Sequence, residues 1–358
     1  MQPLAGLLVL DFSTLLPGPL AALMLAEAGC EVIKIERPGG EDMRRFPPFV
    51  DGESAAFAML NRGKQVIALD LKSEADREKL KPLIARADIL IEQFRPGVMA
   101  RLGLGYDDLR TLNPKLIYCS ISGYGQSGSR ADEAGHDINY IASTGLLDLQ
   151  PGPVDAPVLP PLLAADIGGG SFPAMINILL ALRARDQSGQ GCFIDIAMTD
   201  AMFTFAWQAL ALGAAGGRFP KSGELELAGG SPRYALYPTK DGRLVACGAL
   251  EQKFWLAFAA TIGLAAELID DRRDPKATRD AVAKLIMARP AEEWAPLFAK
   301  ADCCVTIVKP LQEALRDPHF VERELFAHEI KTASGKTIPA LPLPIAPHFR
   351  ARSPDKKA

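Results

Sequence analysis

Proton removal from a carbon beside an activated carbonyl needs a base, donors for the developing enolate oxygen, and an acid on the opposite face. Three side chains have the type and setting for such work. The chain has four histidines, and His319, His328 and His348 sit in surface-like contexts such as DPHF and the proline-rich tail. His136 alone follows a glycine loop, in AGHDINY, where a strand ends and a helix would begin. An imidazole in such a cleft suits a general base near neutrality. The segment reads equally well as a helix start with Asp137 as the cap and His136 incidental. Asp166 lies in LLAADIGGGSF, an apolar run meeting three glycines and then a helix. Gly168, Gly169 and Gly170 would let a ligand approach the backbone, and the helix N-terminus would offer N–H groups to an oxyanion. A lone aspartate here more commonly caps the helix. Glu251, in CGALEQKFW, is the third candidate, and alone it reads as an ordinary exposed helix-start glutamate.

Other chemistries find less support. Gly123, Gly125 and Gly128 spell GxGxxG after an expected strand. A dinucleotide site needs a helix to begin there, so that its N-terminus holds the pyrophosphate. The polar SRADEAGHD follows instead, and the motif falls late in the sheet, so it reads as a glycine loop. There is no Walker A lysine motif. The six cysteines are scattered, apart from adjacent Cys303 and Cys304, and show no CxxC or other metal spacing. No metal site is expected, and reduced thiols point to the cytoplasm.

The elements that must position these residues follow from periodicity. LLVLDF, EVIKIE, VIALDL, ADILIEQF and KLIYCSIS read as strands, with PLAALMLAEAGC and SEADREKLKPLIARA as helices between them. Such alternation predicts an α/β fold around a mostly parallel sheet. Residues 151–161 read as a loop, with helices expected from about Gly170 to Ala184 and from about Asp200 to Gly213. After a glycine-rich break, RYALYPTKDGRLVACGAL predicts a hairpin turning at Asp241-Gly242, followed by amphipathic helices to about residue 315. The tail IPALPLPIAPHF is extended and expected to pack back on the protein.

Composition narrows the function classes. With 358 residues, 48% of them hydrophobic, two lobes are the natural expectation. A net charge of -3 from 40 basic and 43 acidic residues predicts neither nucleic-acid nor acidic-membrane binding. The start MQPLAGLLVLDF reads as a first strand and not a signal peptide, and KKA matches no retrieval signal. No apolar stretch is expected to span a bilayer.

The ordered series LLPGPLAALMLAEAGCEVIKIERPGG, ALDLKS, EQFRPGVMARLGLG, SISGYGQSG, AGHDINY, ADIGGGS, YPTKDGRLVACGALEQKFW and ADCCVTIV resembles the family III CoA-transferase superfamily. Within it the chain resembles the α-methylacyl-CoA racemases. The resemblance implies a Rossmann-like large domain over residues 1–185, linker helices over 186–225, a smaller α/β domain over 226–315, and a segment 316–358 returning to the large domain. It also implies an interlocked homodimer with the active site between subunits. The substrate would be an acyl-CoA, with coenzyme A part of the substrate and no separate cofactor. His136 would be the imidazole base and Asp166 the acid on the opposite face, supported by Asp137 and by Glu251 across the interface. Coenzyme contacts would fall on Arg37, on Leu69, Asp70, Leu71 and Lys72, on Gln93, Phe94 and Arg95, on Arg101, and on Gly135, Ile138, Asn139 and Tyr140. Arginines suit phosphates because their charge is permanent and their donors are forked. In the superfamily's transferases the aspartate at the Asp166 position is a nucleophile, so that residue does not separate the two activities. A second base facing the first, and the short chain, favour racemase.

Overall fold

The computed structural model describes residues 2–152, 155–332 and 335–350. The loop expected at 151–161 falls partly outside these residues, and the terminal KKA wholly so. Six short strands form one parallel sheet: β1 (Leu8–Asp11), β2 (Glu31–Glu36), β3 (Gln65–Ala68), β4 (Ile89–Glu92), β5 (Ile117–Ser122) and β6 (Cys192–Ala197). Their order is β3-β2-β1-β4-β5-β6, with every neighbouring pair parallel. Strand alternation explains the layering: Leu8 and Leu10 join the cluster that contains Leu80 and Ile84 of helix α2 (Glu74–Arg86), while Val9 is buried on the other side. Helix α1 (Pro17–Glu27) starts with prolines, whose missing N–H costs nothing in a first turn, and buries Leu20 through Leu25.

β6 corrects the sequence reading, which gave residues 186–225 to linker helices. Only Ile194 and Ile196 of CFIDIA are buried, so this edge strand lacks the continuous apolar run of the central ones. The helix expected over Asp200–Gly213 is also broken, into Met198–Met202 and Trp207–Gly216.

Two compact units emerge. One comprises the chain up to Thr144, Pro161–Phe205 and the part from His319 onward; the other comprises Gly145–Pro160 and Ala206–Pro318. The chain leaves the first unit after Thr144 and again after Phe205, and neither break falls at residue 185. In the first unit helix α3 (Asp137–Ser143) follows β5, and helix α4 (Phe172–Ser188) precedes β6. A π-helical segment, Ala164–Ser171, leads directly into α4. The continuous helical run Ala164–Ser188 has 25 residues, and an 18-residue stretch within it reaches a mean hydropathy of 1.4, long and apolar enough to cross a membrane by length and composition. This corrects the expectation that no such stretch exists, which treated the π segment and α4 separately. Buried core helices meet the same criterion, and α4 buries Ala174, Ile178, Ala181 and Leu182. From the tail of this unit, strands β10 (Glu329–Lys331) and β11 (Thr337–Pro339) pair, and Leu343 joins Leu20, Leu23 and Met24 of α1 in one cluster.

In the second unit β7 (Tyr234–Pro238) and β8 (Leu244–Gly248) form the expected hairpin. A third strand, β9 (Val305–Ile307), adds to β8 where helix had been expected. Asp302 and Cys304, both at positive φ, end the preceding helix and turn the chain into it. Helices α5 (Gln252–Ile262), α6 (Pro275–Ile286) and α7 (Ala291–Ala301) supply Trp255, Phe258, Val282, Ile286, Trp294 and Phe298 to that unit's core.

Candidate active site

The strand order reverses direction between β1 and β4, and an open parallel sheet binds ligands at the carboxyl ends flanking such a point. A cavity of about 480 Å³ lies there. Its walls come from the turn after β1 (Thr14, Leu15, Pro17), the turn after β4 (Gln93, Phe94, Arg95), the end of β5 (Ser122, Gly123), and Gly135, His136, Asn139, Tyr140 and Asp166. The turns after β1 and β4 are tied together, since the N–H of Gly18 donates to Gln93 Oε1 at 2.8 Å.

His136 is the exposed residue that opens α3, with its own N–H donating to Asn139 Oδ1 at 3.0 Å. The next residue, Asp137, is buried. Its Oδ1 accepts from the N–H groups of Ala165 at 2.8 Å and Asp166 at 2.9 Å. The bonds Asp137 makes are thus with the Asp166 segment and not with the imidazole it was expected to support. They fix where the π segment starts, and so where Asp166 stands. Burial pushes the Asp166 carboxyl up to about 6; the Asp137 charge adds to this and His136 opposes it.

The three glycines after Asp166 lie inside the helical run and not ahead of it, which corrects their reading as a ligand-facing loop. A Cβ on Gly169 would stand 2.5 Å from the carbonyl oxygen of Met198, and one on Gly170 would stand 3.0 Å from Pro17. Their smallness serves packing within the chain. The GxGxxG loop has a similar explanation: a Cβ on Gly123 would meet the Tyr140 ring at 2.3 Å, while Gly125 and Gly128 turn at positive φ. No helix begins between Gly128 and Asp137, so the motif does not open a helix as a dinucleotide site requires. Tyr140 donates its hydroxyl to Gly135 O at 2.5 Å and meets Tyr124 edge to face. Burial, first, and Asp166 push its hydroxyl up to about 12, so it stays protonated.

Of the coenzyme-contact candidates, the cavity gathers Gln93, Phe94, Arg95, Gly135, Asn139 and Tyr140. Ile138 is exposed on α3, and Arg101 and Lys72 are exposed outside the cavity lining. Arg37 is exposed and paired with Asp42 at 2.6 Å. Leu69 and Leu71 pack with the core cluster, while the side chains of Asp70 and Lys72 are exposed. Glu251 belongs to the second unit, where it opens α5, exposed. Arg233 donates to Leu250 O at 3.1 Å and pairs with Asp271 at 2.6 Å, holding the turn that carries Glu251.

The sequence reading missed Thr14, Leu15, Pro17 and Ser122. The signal for the first three was available, since they form the first βα turn at the reversal point. Ser122 Oγ is buried and has no hydrogen-bond partner among the described residues, which leaves a hydroxyl in the cavity wall for a ligand to satisfy. Glu92 was also missed. It is buried at the end of β4, accepts from Phe94 N–H at 2.8 Å, and is pushed up to about 7, chiefly by burial. Among the described residues no group of three or more His, Cys, Asp or Glu could hold a metal.

Comparison with known proteins identifies the family. The chain is 37% identical over 329 residues to the mouse α-methylacyl-CoA racemase, covering 90% of this chain and 82% of that one. It is 34% identical over 370 residues to the acetyl-CoA:oxalate CoA-transferase of Acetobacter aceti, covering 98% and 92%. A crystal structure of a CAIB/BAIF family protein from Brucella suis superposes with a TM-score of 0.82 at 30% identity, over 96% of this chain and 92% of that one. The family description CoA-transferase family III matches residues 4–356, and the chain belongs to that family.

Proposed function

We propose that the protein is a racemase that interconverts R and S 2-methylacyl-CoA thioesters by moving one proton off and back onto the α-carbon through an enolate. What supports this is the pair His136 and Asp166 on one cavity at the reversal point of the sheet, with Asp166 pushed up to about 6. A carboxyl so placed exists in both protonation states near neutrality and serves as acid or base. His136 takes the α-proton from the S epimer while Asp166 protonates the other face, and the roles reverse for the R epimer. One proton leaves and one returns, so the scheme involves no metal or redox cofactor. Arg95 and the turns after β1 and β4 would hold the coenzyme part. A homodimer, with Glu251 of the partner subunit near His136, belongs to the same proposal, as do a cytoplasmic location and a role in lipid metabolism. Exposed Phe172, Ile176, Leu179 and Leu180 along α4 support the dimer, and six free cysteines support the location.

The test is deuterium uptake at the α-carbon of a 2-methylacyl-CoA in heavy water without an acceptor acid. Exchange with loss of optical activity is expected, and none would overturn the racemase. The second reading, favoured by the likeness to the Acetobacter transferase, is transfer of coenzyme A between acyl groups. Asp166 would attack the thioester carbonyl and expel the thiolate to form a mixed anhydride; the thiolate would then form an enzyme thioester and release the acid. Hydroxylamine or borohydride trapping of an Asp166 adduct would establish it.

A further inference from the structure

Leu15 holds φ at +62° in the cavity wall. In that conformation a side chain crowds the adjoining carbonyl, and a non-glycine residue keeps it only where its surroundings impose it. The surroundings here are charged and buried. Lys34 is 0% exposed, Asp11 0% and Glu41 2%. Lys64 Nζ donates to Asp11 Oδ2, Pro19 O and Asn61 Oδ1, each at 2.9 Å, which places all three ammonium protons. Asp11 Oδ1 accepts from the Ser13 N–H at 2.9 Å and also from its hydroxyl. Lys34 Nζ donates to Ser13 O at 2.7 Å and stands 3.2 Å from Glu41 Oε1. That contact falls outside hydrogen-bond geometry, so charge alone carries it. Glu41 Oε2 in turn accepts from the Leu15 N–H at 2.8 Å. Glu41 is itself anchored, since its N–H donates to Glu36 Oε2 and Glu36 is held by Arg44.

Two cations and two carboxylates so buried add little net stability compared with apolar side chains of the same volume, so stability is a poor account of them. Their common target is the main chain of the turn after β1. We propose that the buried Lys34–Glu41 pair is a positioning device that holds Leu15 in its left-handed turn and thereby sets the Thr14–Pro17 wall against which the coenzyme A thioester lies. Neither side chain lines the cavity, so both act through Leu15. The ligand's identity rests on the function proposed above.

A double-mutant cycle in the full-length protein tests this. The pair is replaced as Lys34→Met with Glu41→Leu, in the native background and in a Leu15→Gly background, and coenzyme A binding is titrated by calorimetry. Circular dichroism melts confirm folding. The replacement is expected to weaken binding tenfold or more in the native background. It should cost threefold or less with Leu15→Gly, because glycine adopts positive φ unaided. Equal losses in the two backgrounds, or no loss in either, overturn the proposal. Glu41→Gln, which keeps volume and an acceptor for the Leu15 N–H but removes the charge facing Lys34, runs through the same cycle as the milder variant. Hydrogen exchange of the Leu15 amide is the second readout, and its protection should fall at least tenfold in the pair replacement. If the native protein binds no coenzyme A, the functional reading fails while amide exchange still decides the positioning role. Unchanged exchange overturns it.

Discussion

The carboxylate of Asp137 accepts from the main-chain N–H of Asp166 at 2.9 Å, so one acid of the site is tied to the backbone of the other. Asp137→Ala would leave two buried N–H groups without an acceptor, at about 1–3 kcal/mol each. Proton exchange should fall at least tenfold and the melting temperature should drop; unchanged values would show that the tie does not position Asp166. Asp137→Asn keeps an acceptor and removes the like charge. The Asp166 carboxyl should then titrate below about 6, which carbon-13 NMR of labelled aspartate would read.

His136→Ala should abolish exchange of the α-proton of the S epimer and leave that of the R epimer measurable. Asp166→Asn should show the mirror pattern. Racemisation should be lost in both, by three orders of magnitude or more on the scale of positioned acid–base groups acting together. Equal residual exchange of both epimers in either variant would sink the two-base scheme.

The active forms for the two directions each carry one proton shared between His136 and Asp166, in opposite places. Epimers of near-equal energy also require equal kcat/KM in both directions at every pH. The pH profile should therefore be bell-shaped and the same from either epimer, with limbs that belong to the pair and not to one residue. A profile with one limb, or none, would contradict it.

Glu92 predicts a stability effect. Its carboxyl is raised from 4.5 to about 7 in the folded protein, so the folded state holds this proton more tightly than the unfolded chain. The resulting stabilisation is full below about pH 4.5 and is lost as pH rises through about 7, by roughly 3 kcal/mol. Asp166, raised to about 6, adds in the same direction over a lower window. Glu92→Gln should flatten the fall in melting temperature between pH 5 and 8, and a slope like that of the native protein would refute the assignment.

Gly169→Ala would drive a methyl to 2.5 Å from the Met198 carbonyl oxygen, a backbone atom that cannot swing away. A cost of about 1–3 kcal/mol is expected, seen in denaturant unfolding, together with slower catalysis because the π segment carries Asp166. A neutral outcome would show that the segment can slide.

Five of the six sheet strands were legible because their apolar runs are continuous, as in β4 with Ile89, Leu90 and Ile91 all at 0% exposure. β6 was not, because Asp195 interrupts the apolar run of CFIDIA and only Ile194 and Ile196 are buried. His136 and Asp166 stood out by type and by their glycine neighbours, yet the role given to those glycines was wrong for Gly169 and Gly170. A glycine that admits a ligand and a glycine that admits a neighbouring carbonyl look alike in sequence. The Asp137 tie joins residues 28 apart in the chain, and no periodicity signals such a bond. Ser122 was hidden for the same reason, since an unsatisfied hydroxyl is a property of place; the turn that carries Leu15 was legible, but its positive φ was not.

The opening at the reversal point is made by connectivity, since the chain leaves β1 toward one edge of the sheet and β4 toward the other. The gap itself follows from the strand order, so a substitution in its walls reshapes it without removing the reversal that makes it. A lineage with this scaffold is free to exchange the groups on the rim while the gap survives. That freedom fits relatives whose names divide between epimer interconversion and thioester exchange at comparable similarity to this chain.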